Sequence, residues 1–371
     1  MQRFDVIVIG GGIAGVSVGH FLTEQRRSVL LVEAEAALAH HTTGRSAALY
    51  FENYGHMSIR SLSKASRRFF ESPPAALADG PFLSPRGALT IARPEQSEHF
   101  EQVVADGAAT GTTVHRLSPA EAGGIVPALR TERLVGALWE PGAADMDVAA
   151  IHQAFVRGMR RNDGEIRTAS PVTALQRTGR GWVVTTPGFT AECAVVVNAA
   201  GAWCDMVAAL ADIAPVGLVP KRRTAFMVPG TESWSGWPLV VDVDHDFYFK
   251  PDGVQLLCSL ADETPSDPCD ARPEELDIAL AIDRINDATT LGIRSVRSSW
   301  AGLRSFVPDG SMVIGFDPDA PGFFWLTGQG GTGIQTAPGA GTLAAGLICN
   351  GAVPSELGEF GVDAGLLAVR R

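Results

Sequence analysis

Three glycines carry the first chemistry that can be read in the chain. Gly10, Gly12 and Gly15 stand in the spacing G-x-G-x-x-G, directly after the apolar, β-branched run FDVIVI over residues 4–9. Such a run suits a buried parallel strand. Gly10 permits the tight turn out of it, Gly12 lets a pyrophosphate approach the backbone, and Gly15 lets a helix pack close to the sheet. That helix is expected to run to about residue 25, with free N–H groups and the positive dipole end in its first turn, a setting for a diphosphate. A second strand over 29–32 ends at Glu33. A carboxylate there can accept hydrogen bonds from both hydroxyls of a ribose and repels a 2′-phosphate.

Other stretches add to this pattern. HHTTGRSAA, residues 40–48, is rich in small and hydroxyl side chains. A flat ring can lie close to such a backbone, and Thr42, Thr43 and Ser46 can donate to phosphate or ring acceptors. His40 and His41 are adjacent and point apart; with no third ligand nearby, no metal is expected. Val172 sits at an edge where its backbone could meet an adenine. AECAVVVNAA (191–200) reads as a buried strand ending in Gly201-Ala202-Trp203, a second turn facing a dinucleotide. GQGGTGIQT from residue 328 feeds a further helix, whose N-terminal amides can face an anionic ring edge. Arg304 follows Gly302 in the otherwise apolar SSWAGLRSF. If buried, it needs an anion, either an Asp or Glu or a bound carboxylate. Lys221, Arg222 and Arg223 open a strand over 220–229, and alternation sends only one of the two arginines inward.

The elements that must position these residues follow from composition and periodicity. A chain of 371 residues is too long for one core, so two domains are expected. A net charge of −11 argues against a nucleic-acid backbone or an anionic membrane surface as partner. Residues 4–22 look apolar in a long window, but they include Asp5, His20 and five glycines, so a buried βα unit fits better than a transmembrane segment. Five cysteines without a C-x-x-C pair give no disulfide framework or zinc site. With no signal-peptide pattern, the expected location is the cytoplasm. Helices are expected over 58–70, 95–110, 117–125, 148–161, 204–210 and 273–291. Strands are expected over 83–92, 134–140, 164–169, 181–186, 237–242, 247–250, 298–306, 312–315 and 322–327. Pro273 and Pro338 suit first turns of their helices.

In combination, the glycine motif with Glu33, HTTGRSAA, VVNAAGAW, WAGLRSF with Asp309-Gly310, and GQGGTGIQT resemble the FAD-dependent D-amino acid oxidase superfamily over almost the whole chain. GRSAA, LSPR, NAAGAWCD, PKRR, FY-x-KPD and WAGLRSF together look closest to bacterial D-arginine dehydrogenases. The resemblance implies an α/β fold: a doubly wound, Rossmann-like FAD-binding domain of the glutathione-reductase type, and an α+β substrate domain with an antiparallel sheet. The expected division is 1–80, 145–215 and 305–371 for FAD, and 81–144 and 216–304 for substrate.

Residue by residue, it places FAD at Gly10, Gly12, Ile13, Ala14, Gly15, Glu33, Ala34, Thr42, Thr43, Gly44, Arg45, Ser46, Ala47, Ala48, Val172, Ala200, Gly201, Trp203, Gly302, Arg304, Gly330, Gly331, Thr332, Gly333, Ile334 and Gln335. It places Arg223 and Arg304 on a substrate carboxylate and Tyr54 and Tyr248 beside the substrate, with Leu49, Ala88, Glu52, Gly331 and Thr332 around the pocket. Arginine-oxidising members carry a histidine at the place of Leu49 and an acidic residue at that of Ala88. The expected substrate is therefore a D-amino acid with an apolar or small side chain, although Glu52 could restore some preference for a cation. The expected reaction is hydride transfer to flavin N5, with an imino acid as product and a quinone, another acceptor or oxygen as oxidant. No cysteine lies between 270 and 348, so FAD is expected to bind non-covalently. Oxidation of a secondary amine, such as an N-methyl or cyclic amino acid, or of a 2-hydroxy acid, are the alternatives.

Overall fold

The computed structural model describes residues 1–109 and 111–369. An eight-stranded sheet runs in the order Ala174–Thr178, Gly181–Thr185, Thr190–Asn198, Gln2–Ile9, Val29–Val32, Glu165–Arg167. Strand Thr190–Asn198 also pairs in parallel with Phe323–Thr327, which pairs with Val313–Phe316. The first strand is apolar without alternation because both its faces are covered. Val6 and Val8 enter one core with Leu22, Phe155 and Leu343, while Ile7 and Ile9 enter the other with Leu30, Val196 and Trp325. Helices Ile13–Glu24, Val148–Arg161 and Gly333–Asn350 supply the first core. The parallel strands ending at Ile9, Val32, Asn198 and Thr327 finish at one edge, the usual ligand edge of a doubly wound sheet.

A nine-stranded sheet is built mainly of antiparallel pairs around Val219–Pro229, Leu239–Asp242, Tyr248–Asp252, Gln255–Ser259 and Ser298–Phe306. One face carries Phe226, Val228 and Phe249 into a core with Ala281 and Ile285 of helix Glu275–Ala288. The opposite face presents odd-numbered residues of the strand Val219–Pro229, Arg223 among them. A three-stranded sheet, Leu49–Tyr50, Ala144–Met146 and Leu83–Pro85, lies between the regions.

Several expected elements come out differently. The strand expected over 83–92 is two strands in different sheets, broken at Gly87 with φ 75°. Leu239–Asp242 pairs in parallel with Ala88–Ala92, inside a sheet expected to be antiparallel. The helix expected over 95–110 is Ser97–Ala109, and Thr110 lies outside the described residues. Pro338 is inside helix Gly333–Asn350 rather than in its first turn, because the helix starts earlier, at the glycine loop. The next amide, Gly339 N, donates to Ser66 Oγ at 2.9 Å. Pro273 precedes its helix, whose N-cap is Glu274. Among the described residues no helix is long and apolar enough to cross a membrane.

Candidate active site

Where the parallel strands end, a cavity of about 450 Å³ opens. Gly10, Gly12, Ile13, Ala14, Glu33, Ala34, Thr42, Thr43, Ser46, Val172, Ala200, Gly201, Trp203, Arg304, Gly330, Gly331, Gly333 and Ile334 line it. The helices starting at Ile13 and Gly333 both point their N-termini into it, and neither N-cap residue, Gly12 or Thr332, caps its helix with a side chain. Arg304 is the only Lys or Arg among the lining residues, so the two helix ends are the main positive features available to a diphosphate. Glu33 is fixed by two backbone amides, Gly11 N at 2.6 Å and Glu35 N at 2.8 Å. A Cβ on Gly12 would crowd Thr43 Oγ1 at 3.3 Å, whose oxygen accepts from Ile13 N at 3.0 Å.

A second cavity, of about 110 Å³, shares Ser46, Arg304 and Gly331 with the first. Ala47, Ala48, Leu49, Phe51, Tyr54, Arg223, Leu239, Val241, His245, Tyr248, Ala261 and Gln335 complete its wall. Arg223 pairs across the sheet with Gly302, two residues before Arg304, so both arginines lie on one face. Arg222 turns to the opposite face, where it pairs with Glu274 and with Asp277 at 2.9 Å. Arg223 Nε donates to the Asp262 carbonyl at 2.8 Å and Nη2 pairs with Glu263 at 3.1 Å. Arg304 is 7% exposed, and its Nη1 has no hydrogen-bond partner among the described residues. Burial, then the neighbouring Arg223 cation, lowers its proton affinity. A buried guanidinium with an idle N–H, on a residue that lines both cavities, calls for an anion. Gly302 makes room for it: a Cβ there would lie 3.2 Å from Arg304 Nη1. Tyr54 stacks on Phe51, and a Cβ on Gly331 would meet its hydroxyl at 3.4 Å.

The structure corrects several expectations. Glu52 does not line the pocket: it accepts from Tyr50 Oη at 2.8 Å and from Arg67 Nη1 at 3.0 Å, on the far side of its loop from the cavity wall. Ala88 lies fully buried behind the wall, packed with Phe51, Leu239 and Val241. Thr332 is buried at the helix start, its hydroxyl donating to the Gln329 carbonyl at 2.8 Å. Gly15 touches neither cavity; a Cβ there would overlap the Gly10 carbonyl oxygen, so its part is packing. Gly44 and Arg45 also lie off both cavities. Arg45 ties this loop to the other sheet through Asp270, the Ala271 carbonyl at 2.9 Å and the Ala301 carbonyl at 3.2 Å. A third possible ligand does lie near the two histidines: Glu35 Oε1 is 2.9 Å from His41 Nε2, and ligand atoms of Glu35, His40 and His41 fall within 4.8 Å of one another. Sequence reading missed His245: the strands expected over 237–242 and 247–250 bracket it, but which turn residue reaches the cavity depends on contacts distant in sequence.

The FAD dependent oxidoreductase family profile matches residues 5–347, and the chain belongs to that family. It is 27% identical to bovine (Bos taurus) FAD-dependent oxidoreductase domain-containing protein 1, over 94% of this chain and 82% of that one. It is 26% identical to glycine oxidase of Bacillus licheniformis, over 96% and 95%. Human (Homo sapiens) mitochondrial sarcosine dehydrogenase is 24% identical over 96% of this chain, which spans 41% of that longer protein. L-proline dehydrogenase from P. horikoshii superposes with a TM-score of 0.88 at 19% identity, over 100% and 98% of the two chains, a likeness of fold. The protein is thus an FAD-dependent oxidoreductase, and the uncapped helix ends, Glu33 and the glycine cradle fit that cofactor.

Proposed function

We propose that the chain oxidises a D-amino acid with a small or apolar side chain to the imino acid, which water converts into a 2-oxo acid and ammonia. The observation that carries this reading is Arg304, a buried guanidinium with an idle Nη1 at the wall shared by both cavities. In this reading residues 1–80, 145–215 and 305–371 hold FAD without a covalent bond, and 81–144 and 216–304 cover it. Bound in the larger cavity, FAD supplies the acceptor for a hydride. The chain's own residues do the rest. Arg304 and Arg223 take the α-carboxylate, and a forked guanidinium fixes the direction in which the α-hydrogen points. Tyr54 and Tyr248 flank the carboxylate. Leu49, Phe51, Leu239 and Val241 receive the side chain and exclude water from it.

Size and charge favour small, uncharged side chains. An apolar cavity of roughly 150 Å³ holds a benzene. The second cavity, of about 110 Å³, must take a carboxylate and an amine as well as a side chain. Among the described residues no Asp or Glu lines it, so a guanidinium side chain finds no partner. Closeness to D-arginine dehydrogenases rests on the residue strings alone, and the relatives named above carry other names. The five unpaired cysteines suit a reducing cytoplasm. A quinone, another acceptor or oxygen takes the electrons onward.

An anaerobic panel tests the reading. D-alanine and D-valine should bleach the enzyme-bound flavin faster than D-phenylalanine and D-arginine. Bleaching fastest with D-arginine, or by no D-amino acid, rejects it. A second reading, oxidation of an N-methyl or cyclic amino acid, draws support from the likeness to sarcosine dehydrogenase, and sarcosine and proline belong in the same panel.

A further inference from the structure

The turn between Leu239–Asp242 and Tyr248–Asp252 is held with unusual thoroughness. Asp242 Oδ1 accepts from Gln96 Nε2 at 2.9 Å and from Asp244 N at 3.0 Å. Asp244 pairs with Gln96 at 2.8 Å and His99 at 2.6 Å. Asp246 pairs with Arg93 at 3.2 Å and Arg284 at 3.1 Å. Three aspartates thus lock the turn to neighbouring elements, and the residue among them that reaches the substrate cavity is His245. Its φ of 59° is a left-handed conformation that a residue with a Cβ adopts at some cost. Such a cost, sustained by so many bonds, points to a placed side chain.

The imidazole stands edge-on to Tyr54, ring centroids 5.2 Å apart. The titratable and charged groups around it are Arg223 of the same cavity wall, His99 from the adjoining helix, Glu263 and Asp244. Enclosure by protein, then the Arg223 cation, lowers its pKa to about 4. The residue as a whole is nevertheless exposed, so water tempers that shift and lies within reach to take a proton away. Before a carboxylate docks on the two arginines, the ring is neutral at ordinary pH. A carboxylate seated on Arg223 and Arg304 cancels the positive field that opposes a charged ring, and its proton affinity rises.

We propose that His245 accepts the proton of the substrate's α-ammonium group, and that docking of the substrate's own carboxylate on Arg223 and Arg304 makes it basic enough to do so. In this step one N–H bond of the ammonium breaks and one N–H bond forms on the imidazole. The amine keeps the electron pair and becomes neutral, and nothing is oxidised or reduced. The proton later passes to solvent, to which the residue is exposed. The inference rests on the amino-acid reading above and assigns the base which that reading leaves open.

His245→Asn is the test variant, since Asn tolerates a positive φ. It is prepared as the holoenzyme, with the flavin spectrum confirming that the site is assembled. Propionate, the carboxylate of D-alanine without its amine, is bound calorimetrically at about pH 5.5, between the lowered and ordinary histidine values, in buffers of different ionisation enthalpy. Wild type should take up a substantial fraction of a proton, and H245N close to none. Flavin reduction by D-alanine should fall about 100-fold in H245N near neutral pH, the usual worth of a general base. At high pH, where the amine is neutral unaided, the variant should recover to within about threefold of wild type. Equal proton uptake in both proteins, or a loss of rate that is the same at every pH, overturns the assignment. Failure of the reading itself looks different: no D-amino acid bleaches even the wild type.

Discussion

Arg304 is where charge and burial conflict most sharply. A cation buried without a partner destabilises the protein that carries it, and only an anion offsets that cost. Arg304→Met should therefore act in two directions. Binding of a carboxylate substrate should weaken, lowering kcat/KM roughly 100-fold or more, mostly through KM. The melting temperature should hold or rise, because Met fills similar volume without a charge to desolvate. Steady-state kinetics with thermal denaturation checks both. A fall in stability with unchanged kcat/KM would give Arg304 a structural part only. Much at this scale was legible beforehand. An arginine in an apolar strand demands an anion whatever the fold. Glu52 was not legible, because which side of a loop a residue faces is set by what packs on it, here Tyr50 and Arg67.

Among the elements, the first strand and helix carry the site, and their closeness depends on Gly15. A Cβ there would overlap the Gly10 carbonyl oxygen, and backbone cannot yield as a flexible side chain can. Gly15→Ala should cost about 2–3 kcal/mol and weaken FAD retention, since the helix must lift from the turn that lines the cavity. Gly124→Ala is the control: it lies in helix Pro119–Ile125 with nothing within 4 Å of a new Cβ. It should be neutral or stabilising by up to about 1 kcal/mol. Denaturant unfolding of both apoproteins and flavin titration decide. Equal effects would mean that crowding is not what the glycine relieves.

Across the whole molecule, pH dependence is expected from groups far from solvent. Glu140 is 3% exposed and accepts from Glu52 N at 2.9 Å. Burial pushes its carboxyl up to about 7. A folded-state value above the unfolded one gives stability that is complete at low pH and is lost as pH rises through 7. Glu140→Gln keeps an amide oxygen for Glu52 N and carries no charge. The variant's stability relative to wild type should therefore increase between about pH 4.5 and pH 7, by at most about 3 kcal/mol, and level off above that range. His20 and His245, both lowered to about 4, act oppositely: their contribution is lost as pH falls below the ordinary histidine range. Neither changes between the variant and wild type, so the difference isolates Glu140. A flat difference across that range would place the carboxyl at an ordinary value.

The sequence by itself determined the dinucleotide turn, the two-faced burial of the first strands and the class of cofactor. These depend on local geometry: strand period, glycine spacing and a carboxylate one strand later. It also marked Arg304 as in need of an anion. Strand alternation alone left Arg222 and Arg223 undecided and only the family resemblance pointed to Arg223; the register of one antiparallel pair is what puts it on the cavity face. Only tertiary structure decided the place of Arg45, which pairs with Asp270 rather than lining the cavity, and of His245. That histidine reaches the substrate cavity because three aspartates bind Gln96, Arg93 and Arg284, all remote in sequence. A contact between distant segments leaves no period for a local reading to detect.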